Sequence, residues 1–182
     1  MTQYVREGEF TSTIYGMIKD QKFKDAIQVL ETQLQYQPTN RAALSLLGYC
    51  YYQLQNFTSS ADMYEQLTNL FPEEPHYRMY FAQSMYKAGL FDEAIKQAVQ
   101  IDTQTHPSYK GKLPKLQAAI KYGQDDPQGT RAMIQQCDPN DPDTLNNLGC
   151  ILFKERKYSE AAQKFNDALK MLGLLTFICN FI

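Results

Sequence analysis

The chain has 182 residues, of which 43% are hydrophobic and 21% are charged, a balance typical of a folded globular protein rather than of a disordered chain. Its 18 basic and 20 acidic residues give a formal net charge of −2, and no basic run stands out, so the sequence argues against binding to nucleic acid or to an anionic membrane. The four cysteines include no C-x-x-C pair, which argues against a disulfide framework and favours a reduced, cytosol-like compartment.

The predicted elements, taken from the start of the chain, are helices paired into hairpins. The first hairpin joins a helix near Gly8–Lys19 to a second near Phe23–Tyr36. The next spans Arg41–Pro72, with a polar turn at residues 54–56. Apolar residues recur in both hairpins at the spacing of one helix face, so each helix is amphipathic. A single hairpin of this size cannot bury its apolar side, and it needs a similar neighbour on each side.

Gly48 marks the closest approach expected within the second hairpin. Because glycine has no side chain, the second helix can close onto the first at this point, and Tyr64 and Leu67 are expected to fill the adjoining space. Gly149 has the corresponding place in the last hairpin, whereas the first hairpin has Ile14 there. An atypical first repeat is expected where one end of a repeat array meets solvent or a partner.

The other three hairpins follow the same pattern with more variation. In the fourth, Pro114 interrupts the start of the first helix, residues 123–127 form a turn and the second helix is short, so we expect this repeat to be shorter and more mobile than the others. The helices of these hairpins are predicted at Pro75–Lys87 and Phe91–Thr103, at about residues 113–122 and 132–134, and at Pro142–Lys154 and Tyr158–Met171.

Equivalent residues recur 34 residues apart along the chain. Phe23, Phe57 and Phe91 follow each other at this step, and Pro38 and Pro72 repeat it at the ends of second helices. A helix–turn–helix period of this length is typical of tetratricopeptide repeats. We therefore expect an all-α, right-handed superhelical solenoid of about five tetratricopeptide repeats. The repeats are predicted at about residues 7–40, 41–74, 75–108, 109–141 (degenerate) and 142–171, which together make one array over residues 7–171.

Residues 172–182 differ in composition from the rest of the chain. The stretch from Met171 to Ile182 is uncharged and mostly apolar, but it is too short to span a bilayer, which takes about 20 helical residues. We expect an apolar tail at which the array is truncated, because a last repeat normally ends in a polar capping helix. A short C-terminal membrane anchor is the alternative interpretation, and membrane insertion is not expected.

No residue pattern indicates catalysis, a metal or a cofactor. His76 and His106 lie beside prolines at hairpin edges, without a second ligand at metal spacing, and are expected to be turn residues in solvent. Asp125 and Asp126 are explained as turn formers and as the cap of the next helix rather than as an acid pair. Since no glycine-rich phosphate loop and no metalloprotease or serine-hydrolase motif occurs, we predict a protein that is not an enzyme and uses no cofactor.

The candidate site consists of first-helix residues that the stacking of repeats does not use. One side of each first helix faces the inner wall of a tetratricopeptide array, and Ile18, Tyr52 and Tyr86 recur there at 34-residue steps. Tyrosine suits a surface that is wet when free and buried when occupied. We predict a groove that receives an extended or helical partner segment, the alternative being that these side chains only pack against the neighbouring repeat. The predicted groove residues are Tyr15, Ile18, Tyr49, Tyr52, Met79, Gln83, Tyr86, Asn146 and Phe153.

The same inner positions argue against a clamp for the carboxylate tails of heat-shock proteins. Tetratricopeptide domains of that kind use Lys, Asn and Arg at fixed inner-face sites, which are here Thr11, Tyr15, Leu46, Met79 and Tyr80. The cations that would bind an acidic tail are missing. A general adaptor or co-chaperone that binds partner peptides in the cytosol is therefore kept as the alternative function.

Five short strings of residues resemble one particular family. They are GEFT at 8–11, LSLLGYCYY at 44–52, YEQL at 64–67, LQAAIKY at 116–122 and NLGC at 147–150. Together they resemble the N-terminal part of the tetratricopeptide repeat protein 30, or Dyf-1, family, the seventy-kilodalton subunit of intraflagellar transport complex B. The resemblance runs from about residue 8 to about residue 170, and LSLLGYCYY is more specific than a repeat consensus.

The resemblance implies a non-catalytic scaffold in the cilium or flagellum and in the cytoplasm near the ciliary base. Members of that family are longer superhelices that wrap a proline-rich segment of another, core subunit of complex B, and they are linked to kinesin-driven anterograde transport and to tubulin polyglutamylation. The expected partners are therefore other complex B subunits and the kinesin-driven machinery. The sequence departs from the family pattern after about Lys170, where it enters the apolar tail.

Overall fold

The computed structural model of the chain describes residues 10–179, with side chains as far as residue 173. Within this range the chain is helical, with a short 3₁₀ turn at Pro107–Tyr109 and no strand, so the predicted all-α class is confirmed. Consecutive helices pair into hairpins. The helices are α1 Phe10–Lys19, α2 Phe23–Tyr36, α3 Arg41–Gln53, α4 Phe57–Leu70, α5 Pro75–Lys87, α6 Phe91–Ala98, α7 Leu113–Gly123, α8 Pro127–Ile134, α9 Pro142–Lys154 and α10 Tyr158–Cys179.

The chain divides into two compact units, residues 1–97 and residues 98–182. In the first unit, α2 packs against α3 and α4 packs against α5, so each second helix contacts the first helix of the next hairpin. In the second unit, α7 pairs with α8 and α9 pairs with α10, while α7 and α8 both contact α9. This is how tandem helical repeats bury the apolar side that one hairpin leaves exposed.

The described hairpins all close with the same backbone turn. After each first helix the chain passes through one residue with a positive φ of 59–81°. The next residue donates its backbone N–H to the carbonyl oxygen five residues earlier, at N···O distances of 2.8–3.0 Å. This is the Schellman motif, which satisfies carbonyl groups at the end of a helix. The positive-φ residues are Gln21, Gln55, Gly89, Asp125 and Arg156.

Gly89 is the one glycine among these five turn residues, and replacing this glycine with another residue should change the stability of the protein. We expect Gly89→Ala to lower the free energy of unfolding by about 1 kcal/mol, because a side chain disfavours the left-handed backbone conformation. The reverse exchange, Gln55→Gly, is expected to change stability by less than about 1 kcal/mol, since glycine also loosens the unfolded chain. Urea denaturation of both variants measures these effects, and a more stable Gly89→Ala protein would contradict the assigned turn.

Gly48 and Gly149 lie where the two helices of a hairpin come closest. A Cβ atom at Gly48 would lie 3.0 Å from the ring of Tyr64, and one at Gly149 would lie 2.6 Å from the ring of Phe165. The prediction that Tyr64 fills the space beside Gly48 is confirmed. In the first hairpin the corresponding residue, Ile14, is fully buried in the core between α1, α2 and α3.

Two buried serines connect three helices of the first unit. Ser60 on α4 donates a hydrogen bond from its hydroxyl to the backbone oxygen of Gly48 on α3, at 2.9 Å. Its Oγ also lies 2.9 Å from Oγ of Ser84 on α5. Because the proton of Ser60 is directed to Gly48, the hydroxyl of Ser84 donates to Ser60. Neither side chain is exposed to solvent, so this chain of hydrogen bonds has no water to replace a lost member.

Helix α6 ends at Ala98 and not at Thr103, so the longer helix predicted from the sequence was wrong. The Asp102 carboxylate accepts hydrogen bonds from the backbone N–H of Gln104 at 2.8 Å and from the hydroxyl of Thr105 at 3.0 Å. Local bonds of this kind compete with the helical pattern. The backbone N–H of Ile101 accordingly bonds to the carbonyl of Ala98, three residues back rather than four.

The fourth hairpin is more regular than predicted. Pro114 lies in the first turn of α7, where its missing N–H is not needed, so it does not interrupt the helix. Helix α7 continues through Gly123, which the sequence placed in the turn, and α8 begins at Pro127. With eight residues each, α8 and α6 are equally short, so the fourth repeat is not set apart by the length of its second helix.

Helix α10 continues past its predicted end at Met171 and reaches Cys179. No proline or charged residue follows Lys170 to stop it. The predicted tail at 172–182 thus begins inside a helix, while its residues 180–182 lie outside the described residues, as do residues 7–9 at the predicted start of the array. Across the described range, no helix combines the length and the apolar character that a membrane span requires. The repeat borders stay a prediction.

Asp141 caps helix α9 and pairs with Lys115 from α7. Its carboxylate accepts hydrogen bonds from the backbone N–H of Thr144 at 3.1 Å and from the hydroxyl of Thr144 at 3.0 Å. The Nζ atom of Lys115 lies 2.7 Å from the same carboxylate. Burial by itself raises the pKa of Asp141, but the hydrogen bonds from Lys115 and Thr144 outweigh burial and hold that pKa below its ordinary value.

The Asp141 cap predicts a loss of stability on the acid side. A carboxyl whose pKa is lowered by folding stabilises the native state above its unfolded pKa, and this contribution is lost as the pH falls through the folded pKa, below about pH 4. We expect Asp141→Ala to lower the free energy of unfolding by about 1 kcal/mol at neutral pH. Asp141→Asn should retain the helix cap but lose the part of the stabilisation that depends on pH. Denaturation at a series of pH values measures both, and an unchanged acid slope in Asp141→Asn would contradict the assignment.

Candidate partner-binding face

The first helices of the first unit place exposed tyrosines at equivalent positions. Tyr15 on α1 is 57% exposed, and Tyr49 on α3, which lies 34 residues later, is 41% exposed. The third equivalent position is Gln83 on α5, which is half-buried. Neither tyrosine is consumed by the core, although the ring of Tyr49 contacts the edge of Phe23 at a centroid distance of 6.3 Å.

Ile18, Tyr52 and Tyr86 are half-buried, and the two tyrosines pack against the start of their own second helix. The ring of Tyr52 meets Phe57 edge-on at 5.3 Å, and Tyr86 lies 6.0 Å from Phe91. Aromatic pairs at such distances prefer tilted or edge-to-face geometry. The rings of Tyr52 and Tyr86 are therefore held in place by their own hairpins, and part of each ring stays accessible to solvent.

Tyr52 and Tyr86 are also electrostatic neighbours. Burial, followed by the influence of the Tyr86 hydroxyl, raises the pKa of Tyr52 above its ordinary value. Tyr52 therefore stays a protonated donor at neutral pH, because its pKa is raised above the ordinary tyrosine value of about 10.

Met79 is the predicted groove residue that lies in the interior. Its side chain is only 7% exposed, so it offers almost no surface to a partner. The 34-residue repeat period alone does not distinguish a position on the inner face of a helix from a neighbouring position in the core. Met79 therefore belongs to the interior, and the predicted groove residues of the first unit that keep some exposure are the tyrosines, Ile18 and Gln83.

Tyr80 is a further exposed aromatic residue on a first helix that the sequence did not place among the groove residues. It is 42% exposed, and its ring lies 5.3 Å from Tyr64 and 6.1 Å from His76. Tyr80 lies 34 residues after Leu46, which is also on the first helix of its hairpin, and this repeat spacing could have drawn attention to Tyr80. Tyr64 itself is buried, and burial together with Tyr80 raises its pKa. We call the set Tyr15, Tyr49, Tyr52, Tyr80 and Tyr86 the tyrosine face.

Arg41 joins the second hairpin to the third beneath this face. One guanidinium nitrogen lies 2.9 Å from Glu74, and Nε donates a hydrogen bond to the Tyr77 hydroxyl at 2.6 Å. The guanidinium carbon also lies 4.9 Å from the centre of the Phe71 ring, a cation–π distance. Glu74 lies in turn 3.3 Å from Nδ1 of His76. These contacts fix the start of α5, which carries Tyr80.

His76 is not the solvent-exposed turn histidine that was predicted. It lies within the first turn of α5, is half-buried, and contacts the Tyr77 ring at a centroid distance of 4.0 Å. Burial lowers its pKa, and the nearby charge of Glu74 opposes that effect. His106 is also partly buried. His76 therefore packs against a neighbouring ring and an acidic residue, beyond the role of a simple turn residue.

The second unit carries its two predicted groove residues on α9. Asn146 and Phe153 lie at least partly at the surface, and Phe153 is 59% exposed. Phe153 packs edge-on against Tyr158 at 5.3 Å, which repeats within this unit the contact that Tyr52 makes with Phe57. The same contact thus supports two partly accessible aromatic rings in the first unit and one in the second.

The described residues contain no group of three or more His, Cys, Asp or Glu side chains that could hold a metal ion. Cys50, Cys137 and Cys150 are free thiols, and burial raises the pKa of Cys50 to about 11. A thiol with a raised pKa is a poor nucleophile at neutral pH.

Comparison with known proteins agrees with the fold. A family model described as tetratricopeptide repeat matches residues 17–80. The crystal structure of MamA covers 95% of this chain and 98% of its own, with a TM-score of 0.71 at 14% identity. A thermophilic tetratricopeptide repeat protein from Thermus thermophilus covers 91% of both chains, with a TM-score of 0.69 at 13% identity. At these identities the likeness shows the fold alone.

The hairpins, the family model and these structures define a tetratricopeptide-repeat protein. Intraflagellar transport protein 70A of Xenopus laevis and that of Danio rerio are each 46% identical to the chain over 169 residues, and protein 70A1 of Mus musculus is 42% identical over 179 residues. Each match covers 93% of this chain and 26% of the relative. Over nearly its whole length the chain is similar to the intraflagellar transport protein 70 family, as the sequence strings predicted, and it spans about a quarter of the length of these relatives.

Proposed function

We propose that the chain is a non-catalytic scaffold of intraflagellar transport, and that its tyrosine face holds a segment of another transport subunit. The observation that carries the proposal is the exposure of Tyr15 and Tyr49 at equivalent positions of successive hairpins. Large aromatic side chains with a hydroxyl are favoured where a surface alternates between water and a partner. The family relationship supports the setting, which we place in the cilium or flagellum and in the cytoplasm near its base.

The partner segment in this proposal is proline-rich and belongs to a core subunit of complex B. Proline-rich segments are stiff, carry few donors and dock into grooves lined by aromatic rings. The tyrosine face offers rings and hydroxyl donors, and a single cation, Lys87, lies over its Tyr86 ring at 5.6 Å. Through its contact with the partner segment the chain would support kinesin-driven anterograde transport and, with it, tubulin polyglutamylation.

Co-precipitation of the full chain with complex B subunits tests the proposal. We expect Tyr15→Ala combined with Tyr49→Ala to weaken retention of the partner about tenfold, which corresponds to about 1.4 kcal/mol. Tyr36→Ala is the matched control, because Tyr36 is an exposed tyrosine at the end of α2, outside the tyrosine face. Equal retention by both variants would count against the face, and binding of acidic C-terminal peptides would favour a general adaptor instead.

A further inference from the structure

A concave surface lies on the side of α3 that is opposite Tyr49. It is a groove of about 370 Å³ formed by α2, α3 and α4. Leu44 and Leu47 are buried and form its floor, while Tyr51 and Met63 are partly exposed. With about 100° between successive residues of a helix, Leu44, Leu47 and Tyr51 project from one side of α3, and Tyr49 projects from the opposite side. The groove therefore stays open when the tyrosine face is occupied.

The rim of the groove is polar and includes one fixed carboxylate. Glu31, Gln35 and Gln66 form this rim. The hydroxyl of Tyr51 donates a hydrogen bond of 2.6 Å to the carboxylate of Glu31 and so holds it beside the apolar floor. Burial and this carboxylate raise the pKa of Tyr51 to about 12, so the donor keeps its proton at neutral pH.

The segment that builds the groove has an excess of negative charge. Within α2, α3 and α4 the carboxylates are Asp25, Glu31, Asp62 and Glu65, and the basic residues are Lys24 and Arg41. Arg41 is already engaged with Glu74 and with the hydroxyl of Tyr77. A ligand with lysine or arginine would thus be attracted to this surface, and an acidic one would be repelled.

We propose that this groove binds a basic amphipathic helix of a partner protein. Apolar side chains spaced by three and four residues would enter over Leu44, Leu47 and Met63, as in other helix-in-groove contacts. Lysine or arginine beside them would pair with Glu31 at the rim. This proposal goes beyond the scaffold function above, because it assigns a second, separate contact to the opposite side of α3.

A pair of synthetic peptides tests the proposal with the full chain. The probe is a fluorescein-labelled peptide of about 14 leucines and lysines with the leucines on one helical face, and its counterpart has every lysine replaced by glutamate. Fluorescence anisotropy should show the basic peptide binding at least about tenfold more tightly than the acidic one. Raising the salt concentration should weaken the binding of the basic peptide, because salt screens the attraction between exposed charges.

Two charge variants locate the binding site. Gln66→Lys places a cation on the exposed rim and should lower the affinity for the basic peptide by about threefold or more. Gln53→Lys makes the same change at an exposed glutamine at the end of α3, outside the groove, and should leave the affinity unchanged. Equal binding of both peptides, or equal losses in both variants, would overturn the proposal. Sedimentation that showed self-association abolished by Gln66→Lys would overturn it as well, since a second copy would then occupy the groove.

Discussion

Replacing Gly149 with alanine is expected to lower the free energy of unfolding of the second unit by about 2 kcal/mol. The added methyl group would lie 2.6 Å from the Phe165 ring, closer than non-bonded carbon atoms approach, so α9 and α10 would have to separate or the ring would have to move. The better helix propensity of alanine, about 1 kcal/mol, offsets only part of this cost. Hydrogen exchange of α9 and α10 in the full chain measures the effect where it arises.

Gly16→Ala is the control for the change at Gly149. Gly16 lies within α1, and a Cβ atom there would meet nothing within 4 Å. Alanine at this site should therefore stabilise the chain by about 0.5–1 kcal/mol through helix propensity alone. If Gly149→Ala behaved in the same way, the close packing of α9 on α10 would be refuted.

Removing the hydroxyl of Ser60 is expected to cost about 2 kcal/mol of the stability of the first unit. In Ser60→Ala, the hydroxyl of Ser84 loses its acceptor and the carbonyl of Gly48 loses the bond from Ser60, in a site that water does not reach. Denaturant unfolding followed by circular dichroism gives the magnitude. The double variant Ser60→Ala with Ser84→Ala should recover part of the loss, because it removes one of the stranded groups.

A strictly additive loss in the double variant would show that the two hydroxyls do not interact. A loss below about 0.5 kcal/mol in Ser60→Ala would show that the carbonyl of Gly48 finds another donor. Either result would remove the proposed link between α3, α4 and α5.

The sequence was sufficient to predict where most helices lie and how the hairpins close internally. The 34-residue period identified equivalent positions, and a glycine opposite an aromatic residue predicted the contact between Gly48 and Tyr64, which a Cβ distance of 3.0 Å confirms. These features are predictable because they depend on spacing and side-chain volume, both of which are local properties of a repeat.

Helix ends were predictable only where a strong signal marks them. The end of α6 depends on hydrogen bonds from Gln104 and Thr105 to Asp102, which compete with the helix by a small margin. The start of α7 depends on whether Pro114 falls in the first turn or in the interior, a difference of a few residues in register. Such balances are decided by geometry that a pattern of residue types does not contain.

Repeat spacing did not determine which candidate residues are exposed. It selected Tyr15 and Tyr49, which are exposed, and also Met79, which is buried. It passed over Tyr80, which is 42% exposed and whose ring lies near those of Tyr64 and His76. Exposure depends on which neighbouring side chains fill the core, and adjacent positions on a helix differ in that respect.

Site-specific photo-crosslinking tests the central claim, binding through the tyrosine face, most directly. Benzoylphenylalanine replaces Tyr49 in one version of the full chain and Lys24, an exposed residue of α2, in a second, and each version is irradiated together with complex B subunits. We expect position 49 to form a crosslink to a proline-rich segment of a core subunit and position 24 to form none. Crosslinks from position 24 with none from position 49 would contradict the account.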